Sequence, residues 1–371
     1  MVTKISKTVK HKPAISKALK NKAAKIKAAK KTVLKKLFLG KLKSLQYGSG
    51  LFAASSINVK TGYNKAWIRD NIYESLGLEH AKDIKSLKKT YSALFDILLT
   101  HEYKIDYAIK AKPEYAYQYI HARYNPETFA EFHEEWGNKQ NDAIGAFLFK
   151  VADLLDKGIM TVRGKNDLRI LRKLVDYLAS IEYWHDKDNG VWENDEEIHA
   201  SSVGACVAGL KAVSKYTDVP EEIISNGINT LNTLLPRESE TKETDLALLS
   251  LIYPYNIISE MQKMQILADV EKHLVRKKGV IRHKGDWYYA NPSDNSEAEW
   301  TMGFPWLAKI YFDEGDMRKY NHYLSLTISS MNADGELPEL YYGGTSTHNE
   351  NSPLGWSHAL AIAAVTAAES A

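Results

Sequence analysis

The chain has one cysteine in 371 residues and no acidic side chain before Asp70. A lone Cys206 cannot form an intramolecular disulfide, which excludes a disulfide-stapled secreted scaffold and fits a reducing, cytoplasmic compartment. Its apolar, helical surroundings make it a buried, inert thiol. Long apolar runs are also missing. Lys35 and Lys36 split Val33–Leu39, so no signal-peptide core survives, and nothing approaches the roughly 20 residues of a membrane span. The first arginine is Arg69, which does not fit an Arg-rich transit peptide. With no His-Glu-x-x-His pair and one cysteine among scattered histidines, no metal site is expected. No nucleotide cofactor is expected either, because Gly48-Ser49-Gly50 lacks the Lys-Ser/Thr step of a phosphate loop. Aspartate-rich diphosphate motifs are absent. Ser357 and His358 are adjacent, so on a helix they diverge and cannot act as a nucleophile–base pair.

The charge is unevenly spread. Positions 1–45 hold 15 lysines, leaving 34 basic residues against 46 acidic ones, a formal −12 for the remainder. Such an arm attracts polyanions (nucleic acid, the ribosome or an anionic membrane surface) or folds back on its own acidic body. Ile15, Leu19, Ile26, Val33 and Leu37 recur at offsets of four and seven, the spacing of a cationic amphipathic helix, while a solvated, disordered extension accounts for the lysines equally well. The expected division is a Lys-rich extension over 1–31 and a folded domain over 32–371. Nothing in the pattern bears on oligomeric state.

Past the arm, apolar residues recur at three and four across Leu87–Leu99, Ala143–Leu155, Leu168–Ile181, Ser202–Val213, Ile223–Leu235, Thr244–Ile252, Met261–Leu274, Trp300–Phe312, Tyr320–Met331 and His358–Ala368. Strand-type alternation is nearly absent. Helices over 32–46 and 70–79 bring the count to 12, an all-α chain. Six helical hairpins closed into a ring would leave the loops at one end to form a pocket; a two-domain helical bundle is the structural alternative. Eight Trp and 22 Tyr exceed what packing requires, and flat ring faces match the C–H faces of sugars; the alternative is that they simply fill a large helical core.

Two carboxylate motifs stand 146 positions apart, Gly190-Val191-Trp192-Glu193 and Leu337-Pro338-Glu339-Leu340. Cleaving a glycosidic bond usually takes one carboxylic acid to protonate the departing oxygen and a second, ionised carboxylate to activate water or attack the anomeric carbon. A glutamate desolvated beside Trp192 has a raised pKa, which casts Glu193 as the general acid. Trp67-Ile68-Arg69-Asp70-Asn71 sets a fork of donors beside an acceptor, suited to vicinal hydroxyls and equally to a structural ion pair. Trp136-Gly137-Asn138-Lys139-Gln140-Asn141-Asp142 joins a stacking ring to an amide and an acid, although Asp142 also reads as an N-cap. Glu297-Ala298-Glu299-Trp300 adds acids beside aromatics, where a helix start would account for them nearly as well.

In order along the chain, Trp67-Ile68-Arg69-Asp70, Trp136-Gly137 with Gln140-Asn141-Asp142, Gly190–Glu193, Glu299-Trp300, Leu337-Pro338-Glu339 and Pro353-Leu354-Gly355-Trp356-Ser357-His358-Ala359-Leu360 resemble glycoside hydrolase family 15, over roughly residues 32 to 370. Leu45–Ser55 and His199-Ala200-Ser201-Ser202-Val203-Gly204 look most like the related domain of phosphorylase kinase alpha and beta subunits. The resemblance implies an (α/α)6 toroid and an inverting, exo-acting α-glucosidase without a cofactor, acting on an α-glucoside oligo- or polysaccharide. It implies Glu193 as general acid and Glu339 as general base, with carboxyl groups roughly 6.5–9.5 Å apart. It also implies that Arg69 and Asp70 bind the terminal sugar, that Trp136 stacks near the cleavage point, and that Trp67, Gln140, Asp142, Trp192, Glu299 and Trp300 complete the substrate site. Asn194 follows the acid where fungal glucoamylases carry a second Glu, and Gly190 replaces an Asp, departures that bear on substrate choice. Three functional classes stay open: a glycosidase of the glucoamylase, glucodextranase or trehalase type, a kinase-subunit-like regulatory or carbohydrate-sensing toroid, and a polyanion-binding scaffold acting through the arm.

Overall fold

The computed structural model describes residues 29–134 and 136–367. Most of the Lys-rich extension, and with it the expected amphipathic helix through Ile15 and Ile26, lies outside the described residues. Among the described residues the chain forms twelve α-helices, one longer 3-10 helix and four two-residue strands. The first helix, α1, covers residues 29–43. The others are α2 (Ile68–Ala81), α3 (Ile84–Thr100), α4 (Glu102–Lys110), α5 (Asn141–Asp156), α6 (Lys165–Ser180), α7 (Ala200–Val213), α8 (Glu221–Leu234), α9 (Glu260–His273), α10 (Gly303–Asp313), α11 (Met317–Ser329) and α12 (Gly355–Thr366).

The helices sort by composition into two layers. In α12 every residue is buried, and in α2 all of Ile68–Leu78 are. A helix without a solvent face must be surrounded by other elements. By contrast α6 buries one stripe, including Ile170, Leu171, Leu174, Val175 and Leu178, and turns Lys and Arg outward. The buried elements α2, α5, α7, the 3-10 helix Leu246–Leu251, α10 and α12 pack in that order and close back on α2. They form the inner wall of an (α/α)6 toroid, with outer helices alternating between them along the chain. The wall is tightest between α5 and α7. A Cβ on Gly145 would lie 2.4 Å from the Cys206 backbone nitrogen, and one on Gly209 would lie 2.4 Å from the Gly145 carbonyl oxygen, so the two backbones touch.

Three elements depart from the sequence pattern. The helix expected over Thr244–Ile252 is the shorter 3-10 helix, started by Asp245, whose side chain accepts from the Ala247 N–H. The helix expected from Trp300 begins at Gly303, because β3 (Glu299–Trp300) pairs antiparallel with β4 (Leu340–Tyr341). Helix α4 carries too few apolar positions to announce itself and buries only Lys104, Ile105 and Ala108. Strands β1 (Ala66–Trp67) and β2 (Arg123–Tyr124) pair next to the start of α2. Among the described residues no helix is long and apolar enough to cross a membrane.

Candidate active site

The inner elements begin at one end of the ring, and the segments leading into them carry the polar chemistry. The loop before α7 is held rigidly. Asp188 accepts hydrogen bonds from the Asn141 N–H at 2.8 Å and the Gly190 N–H at 3.2 Å, and the Asn189 side chain donates to the Asn194 carbonyl at 2.8 Å. Gly190 has φ +63° and rests on the His199 ring, which a Cβ would meet at 2.8 Å. Glu193 itself has φ +60°, a conformation that costs a non-glycine residue energy and that the surrounding bonds enforce.

So placed, Glu193 Oε1 accepts from Trp67 Nε1 at 2.8 Å and from Arg69 Nη2 at 3.3 Å. Burial pushes its carboxyl up to about 7; Arg69, Arg123 and the Trp67 hydrogen bond pull the other way, and Asp70 adds to the rise. A carboxyl poised there carries a proton to give near neutral pH.

Arg69, at the start of α2, organises the floor. Its Nη1 donates to Gln140 Oε1 at 2.5 Å and lies 3.6 Å from Asp142, while Nη2 lies 4.0 Å from Asp70. Burial opposes its charge, but Asp142, Asp70 and Glu193 outweigh this and hold it cationic. Asp70 lines the cavity, and burial lifts its carboxyl to about 6 despite Arg69.

Glu339 stands just before β4 and is fully buried. Its carboxylate accepts from the Tyr63 hydroxyl at 2.6 Å, from Asn351 Nδ2 at 2.7 Å and from Asn349 Nδ2. Burial raises its pKa, and the three donors, which favour the charged form, oppose the rise. The Tyr63 hydroxyl also meets that of Tyr288 at 3.1 Å. Glu339 therefore sits behind Tyr63, and it is Tyr63 that lines the cavity.

Two adjoining spaces meet at Glu193. The first, about 300 Å³, is walled mostly by buried side chains: Trp67, Arg69, Asp70, Trp192, Trp300 and Trp356, with Tyr63, Arg123, Trp136, Arg282 and Tyr288 completing it. The second, about 860 Å³, is wider and is lined by Asn194, Asp195, Lys242, Lys284 and Trp287 among others. Glu193 and Tyr288 line both. Trp136 is wedged at the first, with the Arg123 guanidinium 4.2 Å from its ring centroid and the Trp67 ring at 5.9 Å. Trp192 donates Nε1 to Asp245 at 2.6 Å and packs between Trp300 and Trp356. Arg282, bonded twice to Asp286 at 2.7 Å, lies under Trp192, Tyr288 and Trp300. Trp300 and Trp356 line the first space, and their indole N–H groups are buried without an acceptor.

Three expected substrate contacts need correction. Gln140 and Asp142 do not line either space; they brace Arg69 from beneath. Glu299 points the other way from Trp300, as neighbours on a strand must, and spends its oxygens on the backbone N–H groups of Lys278 and Gly344. In turn, Tyr63, Arg123 and Arg282 are wall residues that the motif reading missed. Each stands outside the recognisable motifs, and Arg282 and Arg123 look in sequence like ordinary loop cations.

The sequence model of glycosyl hydrolases family 15 matches residues 28–324. The chain belongs to glycosyl hydrolases family 15. Glu193 lies inside the matched span and Glu339 beyond it. Among curated proteins the chain is similar to the skeletal muscle isoform of the phosphorylase b kinase regulatory subunit alpha of Oryctolagus cuniculus, 25% identical over an aligned length of 339, with 74% of this chain and 27% of that protein covered. The probable phosphorylase b kinase regulatory subunit alpha of Drosophila melanogaster is 26% identical over an aligned length of 351, with 79% of this chain and 28% of that protein covered. The chain thus spans about a quarter of the length of these relatives. Among solved structures it shares its fold with a wild-type glycosidase (TM-score 0.77, 19% identity, 92% of this chain and 98% of that one). A bacterial glucoamylase complexed with acarbose gives a TM-score of 0.67 at 15% identity, covering 88% of this chain and 54% of that one. The chain is thus similar in fold to solved glycosidases and in sequence to proteins named as kinase regulatory subunits.

Proposed function

We propose that this family 15 chain is an inverting, exo-acting α-glucosidase that releases terminal sugars from α-linked oligo- or polysaccharides. The observation that carries the reading is the place of Glu193: a carboxyl with its pKa near 7 at the junction between a cavity sized for one sugar ring and a cleft wide enough for several. A terminal residue in the smaller space puts its glycosidic oxygen at that junction. Glu193 gives its proton to the departing oxygen as the C1–O bond breaks. A water on the opposite face attacks C1 and passes its proton to Glu339. Tyr63, bonded to the Glu339 carboxylate and exposed to the cavity, aligns the base with that water. Arg69 and Asp70 grip hydroxyls of the terminal ring, Trp136 stacks at the cleavage point, and Trp67 orients the acid.

One observation favours a second reading, a carbohydrate-sensing toroid. Glu339 is fully buried with three donors on its carboxylate, which leaves it little room to receive a water proton; the kinase regulatory subunits among the relatives point the same way. Incubation with maltose, maltotriose, isomaltose, trehalose and soluble starch, with proton NMR following released glucose, separates the two. Release of β-glucose that disappears in both Glu193→Gln and Glu339→Gln supports the enzyme. Sugar binding without turnover, unchanged by either substitution, supports the sensor. A polyanion role for the Lys-rich arm is a separate proposal. It requires binding to nucleic acid, ribosomes or anionic vesicles that weakens steeply with salt and survives loss of both glutamates.

A further inference from the structure

Fourteen large apolar or aromatic side chains are exposed among the described residues, and four of them are tyrosines within residues 103–117. Tyr115 and Tyr117 are 56% and 68% exposed, and their rings lie parallel within 7° at a centroid distance of 5.6 Å. The segment that carries them is fixed. Gln118 accepts from the Glu114 and Tyr115 N–H groups at 2.8 and 2.9 Å and donates to the Tyr107 hydroxyl at 2.9 Å. Tyr103 stands one helical turn before Tyr107 on the same face of α4.

This row begins at the catalytic rim. The Ala116 carbonyl accepts from Asn138 Nδ2 at 3.1 Å, and the neighbouring Gly137 lines the wider cleft beside Glu193. Tyr117 and Tyr115 are thus nearest the cleft, Tyr107 follows through Gln118, and Tyr103 lies about 6 Å further along the helix. All four are tyrosines, with no Leu, Ile, Phe or Val among them. A surface that offers flat apolar faces edged with hydroxyls suits a ligand with C–H faces edged by hydroxyls, and does not suit a purely apolar partner. A backbone fixed in this way leaves less entropy to lose when a ligand is laid on the rings.

We propose that Tyr103, Tyr107, Tyr115 and Tyr117 form a surface track for an α-glucan chain, which leads the polymer from α4 to the cleft at Glu193. The track rests on the glucosidase reading for its choice of polymer, but binding is measured apart from turnover. The test is native electrophoresis in gels containing soluble glycogen, with the full chain, with Tyr115→Ser/Tyr117→Ser and with Glu193→Gln, alongside maltose hydrolysis and a thermal melt. The expected result is retardation of the full chain and of Glu193→Gln, and roughly tenfold weaker apparent affinity for the double tyrosine variant at an unchanged Tm, with any maltose turnover unchanged. Equal retardation of the double variant overturns the track, and so does the absence of retardation in the unsubstituted chain. Retardation that depends on the tyrosines in a chain that hydrolyses nothing upholds the track and overturns only the glucosidase reading.

Discussion

On the proposed glucosidase reading, replacing Glu193 with Gln should lower turnover sharply, and it should stabilise the protein above neutral pH. The carboxyl rises from an ordinary 4.5 to about 7 because burial penalises its charge more than Arg69 and Trp67 compensate. That difference corresponds to roughly 3 kcal/mol between protonation states. The folded chain holds this proton more tightly than the unfolded chain, so between pH 4.5 and 7 it binds more protons and its stability falls as pH rises. Gln keeps the shape and an acceptor for Trp67 but cannot ionise. Glu193→Gln and the unsubstituted chain should therefore melt together near pH 4.5 and diverge progressively, the variant gaining up to about 3 kcal/mol by pH 8.5, or about 4 °C in Tm for 371 residues. Turnover should fall by about 10²–10⁴, the usual worth of a general acid. Calorimetry at closely spaced pH values reads the first effect. A Tm offset that is the same at pH 5 and pH 8.5 would show that Glu193 is not held protonated and would sink the assignment of the acid.

If the proposed glucosidase reading holds, the same shift predicts that the rate of the unsubstituted chain declines as pH rises through about 7, when Glu193 loses its proton, a limb read from initial rates on maltotriose. Tyr63→Phe removes a hydrogen bond that favours the ionised form of Glu339, so the acidic limb should move to higher pH and kcat should drop about tenfold or more; a limb that stays put separates Tyr63 from the base. Glu299→Gln leaves one backbone N–H of Lys278 or Gly344 poorly satisfied, which should cost about 1–3 kcal/mol in urea unfolding with KM unchanged. A raised KM would return Glu299 to the substrate site. Gly145→Ala drives a methyl into the α7 backbone and should destabilise by about 3 kcal/mol, since backbone on both sides leaves nothing that can yield cheaply; a loss under 1 kcal/mol would mean that the inner wall is looser than the contact implies.

Much of this architecture was legible before any coordinates. Apolar residues at three and four are a local property, and they locate ten of the twelve α-helices within a few residues, along with α1 in part. The carboxylate and Arg-Asp motifs are short and contiguous, so Trp67, Arg69, Asp70, Trp136, Trp192, Glu193 and Trp300 could be named from the chain, and the structure gathers all seven around one cavity. What stayed hidden was whatever depends on ring closure. The segment Thr244–Ile252 has helical periodicity, yet between α7 and α10 it forms six residues of 3-10 helix. Glu299 and Trp300 are equally apt for a sugar site on paper; only the pairing of β3 with β4 decides that the indole faces the cavity and the carboxylate faces away. Tyr63, Arg123 and Arg282 are recruited from segments far apart in sequence, and no local spacing records that they meet. Periodicity and motif chemistry act between neighbours along the chain, and so the sequence by itself determined the helices and the reactive groups. Distances between those groups arise only when six hairpins close, which is why the cavity, the shielding of Glu339 by Tyr63 and the bracing of Arg69 were decided by tertiary structure.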